Sequence, residues 1–325
     1  MVNKYILGTG IITTGVLIMI SSIPKTQTQA TTECLSTPLF NPQVIPAVTI
    51  TDFTEVPNFI GTNRHNLWCA DFLSDGLNYY LVMTHNEDIT TPKQTVFLKN
   101  LNTGLILSKS VYNSVYTLDG NLFTIQSSLS TVVHDIINNT TTIDISIPEN
   151  SIAIHLLHPG KPFKYNDGDV GIVKPNEMYV KGIEIVGNSL GNINGNSVSG
   201  IGITERLNWN FWEYTVNGYK YIAFASRTQG LISGLLVRFD QYADGGVWEN
   251  GVYLKPDNIR IDNLNFKNGY TGDQRVFFIK GSDIYLLDMK YIGGRSINQS
   301  SYTLYIYKNG IIVDSGYAWE ENAQI

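Results

Sequence analysis

The hydrophobic residues of this chain recur with a period of two along most of its length. In the run from Tyr79 to His85 the odd positions share one face of an extended segment, as expected for a β-strand with one buried face. Similar runs occur at Leu105–Val111, Leu122–Gln126, Thr142–Ile147, Tyr221–Ala225, Leu235–Phe239, Arg275–Ile279, Ile284–Met289 and Tyr302–Tyr307. No window of about a dozen residues has the period of an amphipathic helix. The sequence therefore predicts an almost entirely antiparallel β protein.

Turn signals separate these runs. They are Asp119-Gly120, Asn166-Asp167-Gly168, Asn217-Gly218, Gly245-Gly246, Gly281-Ser282-Asp283 and Asn309-Gly310. Short strands joined by turns every 8–12 residues or so are typical of a sandwich, a barrel or a propeller.

Parts of the chain recur. The run Val198–Glu205 (VSGIGITE) is echoed by Val313–Glu320 (VDSGYAWE), with the same step from Val to Glu. Trp68 and Trp212 each open a hairpin-like unit with a glycine-bearing turn. Two such units, each closed by a glycine-bearing strand that ends in a carboxylate, predict a duplicated β architecture.

Two stretches carry a family resemblance, Asn66–His85 (NLWCADFLSDGLNYYLVMTH) and Gly202–Phe224 (GITERLNWNFWEYTVNGYKYIAF). Together they resemble the hydroxyneurosporene synthase superfamily, which comprises carotenoid 1,2-hydratase, AttH-like and secreted kievitone-hydratase-type proteins. This resemblance implies two lipocalin-like antiparallel β-barrels in tandem. It also implies a hydratase or cyclase chemistry without a cofactor.

The second stretch carries the motif of this family. In the resemblance, Glu205-Arg206 stands where the family has Asp-Arg, Trp209 is the tryptophan that follows, and Trp212 lies on the strand beyond. Ile203-Thr204 stands where the family has an aromatic pair. The acid is thus Glu rather than Asp, and the residues before it are not aromatic.

Three segments are expected. Residues 1–30 have the pattern of a signal peptide, residues 31–197 of a first barrel with an extended tail, and residues 198–325 of a second barrel. The Gly/Asn/Ser tract Gly187–Gly200 marks the predicted boundary, as an interdomain loop or a wide hairpin tip.

The first segment predicts export. Lys4 precedes an apolar run from Ile6 to Ile20, and Ala30 ends a sequence that fits signal-peptidase cleavage. The run is shorter than the roughly 20 residues that cross a bilayer, so a retained anchor is the weaker alternative. Cleavage would remove two lysines and no acids, which changes the net charge from −6 to −8. A secreted, acidic protein of this kind has no phosphate-binding footprint, so nucleic acid is not an expected partner.

Export also bears on the cysteines and on three asparagines. In an oxidising compartment Cys34 and Cys69 are expected to form a disulfide, with two buried thiols as the alternative. Asn138, Asn139 and Asn298 lie in N-x-Ser/Thr sequons, which are candidate glycosylation sites or ordinary turns.

Glu205 is the candidate proton donor. Adding water to an alkene, or steering a cyclisation, needs an acid in an apolar pocket, where desolvation raises the pKa of a carboxyl group and keeps it protonated. Ile203 and Trp209 flank Glu205, although a rim carboxylate paired with Arg206 or a lysine is the alternative. His85 is the second catalytic candidate, with a core or rim histidine as its alternative.

Aromatic faces stabilise positive charge on carbon. The candidate pocket residues are Trp68, Tyr79, Trp209 and Trp212, although large aromatics also serve as core residues. No cofactor and no metal site are expected, because the chain has no phosphate-binding loop and no zinc-binding motif. His155 and His158 fall on opposite faces of a predicted strand and so would not share a metal.

The function favoured by these features is a secreted cofactor-independent hydratase, isomerase or cyclase for an apolar terpenoid, polyene or polyketide-type molecule. One alternative is a non-catalytic lipocalin-like carrier, because an apolar barrel can simply hold its ligand. The other is a five-bladed β-propeller glycosidase, with Asp71, Asp119 and Glu205 as candidate carboxylates.

Overall fold

The described part of the chain is almost entirely β-strand. The computed structural model describes residues 65–74, 80–86, 93–100, 103, 106–112, 114–165, 180–209, 218–239, 242–261, 272–296 and 299–324. For 65–74, 80–86, 180–181, 207–209, 218–219, 293–296, 322–324 and some single positions, the backbone alone is described. The helical segment in this part is one 3-10 turn, Pro148–Asn150, and no described helix has the length and apolar character to cross a membrane.

Twelve strands form the first sheet. They are β1 His65–Ser74, β2 Tyr80–Asn86, β3 Lys93–Asn100, β4 Ile106–Tyr112, β5 Val115–Asp119, β6 Leu122–Gln126, β7 Ser130–Asp135, β8 Thr140–Ile147, β9 Ile152–Pro159, β10 Lys161–Tyr165, β11 Val180–Ile193 and β12 Asn196–Trp209. Hydrogen-bonded neighbours follow the order β4-β3-β2-β1-β12-β11-β9-β8-β7-β6-β5, and β10 pairs separately with β11.

Nine strands form the second sheet. They are β13 Gly218–Ser226, β14 Ile232–Phe239, β15 Tyr242–Glu249, β16 Val252–Leu254, β17 Asn258–Ile261, β18 Gln274–Lys280, β19 Asp283–Ser296, β20 Gln299–Lys308 and β21 Ile311–Gln324. Their order is β16-β15-β14-β13-β21-β20-β19-β18-β17, and the pairs in both sheets are antiparallel.

Asn-Gly turns join three of the hairpins. Asn194-Gly195, Asn250-Gly251 and Asn309-Gly310 all have positive φ at both residues, from 50° to 80°. This is the backbone of a type I′ turn, whose twist matches that of the two strands it connects. The Asn309-Gly310 signal is therefore confirmed. Gly245-Gly246 is not a turn and lies within β15, where Gly245 approaches the backbone of β14 too closely for a side chain.

The two sheets repeat one plan. In each, the first strand pairs with both the second and the last strand, so that β12 and β21 hold equivalent places. These closing strands contain the echoed runs Val198–Glu205 and Val313–Glu320. The duplicated architecture read from the sequence is thus present in the strand order.

Each sheet curls around a core of its own. Val96 on β3 and Ile125 on β6 lie far apart in the first strand order, yet both are fully buried in one cluster. Ala243 on β15 and Val276 on β18 share the second cluster in the same way. We call the two units the first and second barrel. This is the expected all-β, lipocalin-like fold. The propeller alternative is wrong, because the described strands form two large sheets rather than repeated blades.

The predicted boundary at residues 197/198 differs from the strand pairing. The tract Gly187–Gly200 forms the tip of the β11–β12 hairpin, and all of β12 belongs to the first sheet. The division between the sheets therefore falls after Trp209. The limits of independent folding domains stay a prediction.

Candidate functional site

The two barrels contact each other through the outer faces of their closing strands. β11 and β12 face β13, β14 and β21. The buried apolar side chains Val186, Ile201, Ile203, Ala223 and Trp319 belong to neither core and line this contact, which we call the seam. Trp248 Nε1 donates to the carbonyl of Pro162 at 2.9 Å, and the hydroxyls of Ser199 and Tyr317 lie 3.3 Å apart.

Glu205 lies in the seam rather than inside the first barrel. Its neighbour Thr204 is on the inner face, where its hydroxyl bonds to Thr141 at 2.6 Å and to His158 at 2.5 Å. Consecutive strand residues face opposite sides of a sheet. Glu205 is 3% exposed, so it is buried as expected. Its surroundings, however, are the contact between two barrels and not the interior of one.

A second carboxylate lies directly opposite Glu205. Glu184 on β11 is its cross-strand partner and is 1% exposed. The hydroxyl of Tyr221, on β13, donates to Glu184 Oε2 at 2.5 Å and so connects the barrels. Glu321 pairs with Tyr221 in the β13–β21 register and is also buried. This end of the seam therefore collects three carboxylates and one phenol.

Strand register extends this group across the first sheet. Glu205 pairs with Cys69 on β1, and Cys69 in turn pairs with His85 on β2. His85, Cys69, Glu205 and Glu184 thus occupy one row across four adjacent strands. The two residues predicted to be catalytic, Glu205 and His85, are therefore two strands apart at the same level of the sheet.

Arg206 lies on the opposite face of β12 from Glu205. Its cross-strand partner Ile183 belongs to the first core, and Arg206 itself is 2% exposed. Burial lowers the pKa of its guanidinium group to about 10, while the charge of Tyr116 acts in the other direction. The two side chains therefore lie on opposite faces of β12, which does not favour an ion pair between Glu205 and Arg206.

The inside of the first barrel contains a chain of buried polar side chains. His134 bonds through Nδ1 to Thr141 at 2.8 Å, Thr141 to Thr204, and Thr204 to His158. Both histidines have no exposed surface, and desolvation lowers the pKa of each to about 3. The imidazoles are therefore neutral at ordinary pH.

The inside of the second barrel contains a charged network. Lys220 Nζ lies 3.3 Å from Glu320 Oε1, and both side chains are fully buried. Lys220 also donates to Gln274 Oε1 at 2.5 Å, while Gln274 Nε2 donates to Glu320 and, at 2.9 Å, to the hydroxyl of Tyr302. Desolvation, with the nearby Glu320 charge, raises the pKa of Tyr302.

Several predicted residues lie outside the described part of the structure. Tyr79, Trp212, Cys34 and Asn298 are not described, and the signal peptide also falls in this part. For Trp68, Trp209, Cys69 and His85 only the backbone is described. Trp68 pairs with Arg206 in the β1–β12 register, one position from the row that holds Glu205. The disulfide and the aromatic pocket stay predictions.

The two sequon asparagines that are described lie in the β7–β8 turn. Asn138 is exposed, and its side-chain amide donates to Asp135 Oδ2 at 2.7 Å. Asn139 adopts a left-handed φ of 49°. The turn interpretation holds for both, and their glycosylation stays a prediction.

The remaining histidines behave as their strand positions predict. His158 is inside the first barrel, whereas His155 is exposed and lies 2.6 Å from Asp144 Oδ1. They are on opposite faces of β9. Among the described residues no group of three or more His, Cys, Asp or Glu side chains is placed to hold a metal ion.

Sequence reasoning missed Glu184, Tyr221 and the two internal networks. The available signal was a single polar residue in an apolar strand, as in I-E-I at Glu184 and Y-K-Y at Lys220. Alternation alone places Glu184 on a solvated face, since it cannot show that a second barrel covers that face.

Comparison with known proteins bears on the fold. No model of a known protein family matches the chain, and no curated protein matches its sequence. A crystal structure of an AttH candidate from Nitrosomonas europaea superimposes over 85% of this chain and 99% of its own, with a TM-score of 0.50 and 9% identity. The chain has an AttH-like fold. The superposition with a crystal structure of kievitone hydratase from Nectria haematococca covers 90% of this chain and 97% of the other, with a TM-score of 0.48 and 11% identity.

The AttH-like fold agrees with the architecture implied by the sequence resemblance. At 9% identity the similarity extends to the fold and not to the chemistry. The role of the seam therefore has to be argued from its own residues.

Proposed function

We propose that this chain is a secreted, cofactor-independent hydratase, isomerase or cyclase that acts on an apolar small molecule at the seam. The observation that carries the proposal is the pair Glu205 and Glu184. These carboxyl groups lie opposite one another, each is at most 3% exposed, and a tyrosine from the other barrel donates to one of them.

Two carboxyl groups so close together in a buried site do not both ionise readily, because like charges repel and desolvation penalises each charge. One proton shared by the pair would remain available near neutral pH. Ile203 and Val186 are cross-strand partners on the same face as the two acids, so the proton is held in apolar surroundings. A general acid for an unactivated alkene needs this combination.

The proposed reaction begins when Glu205 transfers its proton to one alkene carbon, which leaves positive charge on the other. In a hydratase, the oxygen of water then bonds to that carbon and a proton from the water returns to the carboxylate pair. In an isomerase, the cation loses a proton from a neighbouring carbon to the carboxylate pair. In a cyclase, an internal double bond attacks the cation, and the new cation then loses a proton to the same pair. The proton balance closes in each case without a redox partner.

The other predicted residues have proposed roles around this step. His85 lies in the same row as Glu205 and is the proposed relay, which takes the proton from water and passes it back to the carboxylate pair. Trp68, Tyr79, Trp209 and Trp212 are the proposed aromatic residues near the developing cation. Secretion, with cleavage after Ala30, is part of the proposal.

The first prediction is that Glu205→Gln lowers turnover by about 10²–10⁴, the usual contribution of a general acid, while substrate affinity changes little. Gln preserves shape and hydrogen bonding but has no acidic proton. Acyclic isoprenoid and prenylated phenolic alkenes would be incubated in D₂O, and deuterium uptake or addition of D₂O measured by mass spectrometry. Glu149→Gln, at an exposed glutamate paired with Lys109, is the matched control.

Two results would contradict the proposal. Unchanged turnover in a folded Glu205→Gln variant removes Glu205 from the mechanism. If wild-type protein binds members of the panel with saturation but converts none of them, a carrier function is favoured instead.

A further inference from the structure

A cavity of about 230 Å³ opens at the seam, further along β11 from the carboxylate pair. Val186 and Asn188 line it from the first barrel, and Ala225 and Ser233 line it from the second. It lies where the ends of β9 and β10 meet β11. Gly187 permits this contact, since a Cβ there would be 1.9 Å from the carbonyl oxygen of Pro159.

Asn188 presents a hydrogen-bond acceptor at this cavity. Its side-chain Nδ2 donates to the carbonyl of Ser226 and, at 3.1 Å, to that of Arg227. These two bonds determine which way the amide is turned. Oδ1 is buried and has no hydrogen-bond partner within the described residues. The acceptor needs a donor that the described protein does not supply.

Ser233 presents a hydroxyl at the same cavity. Its side chain is 6% exposed, and its Oγ also has no hydrogen-bond partner in the described part of the chain. Buried polar groups without partners are rare in native proteins and often mark a site for water or a ligand. Lys161 adds a third polar group, and its Nζ lies 5.6 Å from the centre of the Trp248 ring.

Apolar walls complete the site. Val186, Ala225 and Ile232 contribute hydrocarbon surface, together with the ring of Pro159. The cavity volume corresponds to about eight water molecules at the roughly 30 Å³ each occupies in the liquid. It is smaller than the pockets of about 300–1,000 Å³ that hold drug-sized ligands.

We propose that this cavity binds one cyclic polyol, such as a single monosaccharide unit. Ring hydroxyls can donate to Asn188 Oδ1 and accept from Lys161, and Ser233 can do either. The C–H faces of the ring match the apolar walls. A small anion fits less well, because it would meet the carbonyl oxygen of Asn188 at the place where a donor is needed. This site does not depend on chemistry at Glu205.

The test measures saturable binding of glucose, galactose, mannose and N-acetylglucosamine to the purified protein, by saturation-transfer NMR and calorimetry. At least one sugar is expected to saturate the site. Ser233→Ala removes one hydroxyl without changing the shape of the cavity and should weaken binding about fivefold, the usual net effect of one hydrogen bond. Ser114→Ala is the matched control, since Ser114 Oγ is equally buried and lies elsewhere.

Three outcomes would overturn the assignment. The first is that no monosaccharide gives saturable binding. The second is that the Ser233→Ala and Ser114→Ala variants bind a sugar equally well. The third is that inorganic phosphate gives saturable binding while the sugars do not. Loss of phosphate binding in the Lys161→Met variant would show that the phosphate occupies this cavity. Thermal unfolding of each variant would show whether it remains folded.

Discussion

Thr204 and Glu205 are adjacent in the chain but have different surroundings. Thr204 links His158 to Thr141 inside the first barrel, and Glu205 opposes Glu184 in the seam. Because both faces of β12 are covered, each side chain is almost fully buried. A burial of polar groups on this scale is tolerated only where hydrogen bonds compensate for lost water. The hydroxyls of Thr141 and Thr204 and one nitrogen of each imidazole are hydrogen-bonded there without carrying charge, whereas His158 Nδ1 has no hydrogen-bond partner among the described residues.

The neutral histidines predict acid sensitivity. The folded pKa of His134 and His158 is about 3, below the ordinary 6.5 of an unfolded histidine, so the unfolded chain binds protons first. The contribution of these two neutral histidines to the free energy of unfolding is therefore fully present above pH 6.5, and it is lost as the pH decreases toward 3. Between pH 7.5 and pH 5 the loss should be about 2 kcal/mol per histidine.

Urea denaturation at several pH values measures this slope. His158→Gln preserves a hydrogen bond to Thr204, lowers stability at pH 7.5 and should remove about half of the pH dependence. His155→Gln, at an exposed position on the same strand, is the control for the replacement of a histidine by glutamine. An unaltered slope in His158→Gln would show that other groups cause the acid sensitivity.

At the level of secondary structure, the last strand of each sheet closes its barrel by pairing with the first strand. β12 and β21 both pair with the first strand and the penultimate strand of their sheet, and both contain a glycine where another residue of the same sheet comes close. A Cβ on Gly202 would lie 2.5 Å from Cγ of His158, and one on Gly316 would lie 2.0 Å from the carbonyl oxygen of Ala225. The echoed runs thus share their place in the strand order, and each contains a glycine, although Gly202 and Gly316 stand at different positions of the run. They differ in orientation, because Glu205 faces the seam whereas Glu320 faces the second core.

Gly202→Ala should destabilise the protein by about 1–3 kcal/mol, the usual cost of overpacking a well-filled core. The methyl group would displace the His158 ring and lengthen its bond to Thr204. Denaturation in urea measures the loss, and the appearance of the histidine side-chain resonances in NMR shows whether the ring has moved. Ser197→Ala, at an exposed position of the same strand, is the control. Equal stability of Gly202→Ala and wild type would mean that the ring does not pack on this glycine.

At the scale of the whole molecule, the seam makes two barrels into one unit. Hydrogen bonds cross it from Tyr221 to Glu184, from Trp248 to Pro162 and from Asn188 to Ser226. Apolar residues such as Ile203 and Trp319 fill the space between them. Buried apolar surface with specific hydrogen bonds is the kind of contact that couples the unfolding of two domains.

The coupled seam predicts one cooperative unfolding transition for the wild type. The double variant Tyr221→Phe with Trp248→Phe removes two donors and leaves an aromatic ring at each position, although the benzene ring of Phe is smaller than the indole of Trp248. Its free energy of unfolding should fall by about 1–3 kcal/mol. Far-ultraviolet circular dichroism and fluorescence should then report unfolding transitions that no longer coincide. Tyr305→Phe with Tyr112→Phe, at exposed positions, is the control. A single coincident transition in the double variant would show that these hydrogen bonds do not couple the barrels.

Much of the architecture was readable from the sequence because it depends on local chemistry. Period-two alternation predicted the strands, Asn309-Gly310 predicted a hairpin turn, and the repeat at Glu205 and Glu320 predicted two equivalent closing strands. These features depend only on residues that are close together in the chain.

Tertiary structure decided which face of each strand is covered, and by what. Glu184 lies 21 residues from Glu205 and 37 from Tyr221 in sequence, and only the packing of one barrel against the other brings the three together. The boundary expected in Gly187–Gly200 became a hairpin because β12 pairs with β1 rather than starting the second sheet. A pattern of alternation specifies two faces but not their partners, since pairing and packing between distant strands depend on the whole chain.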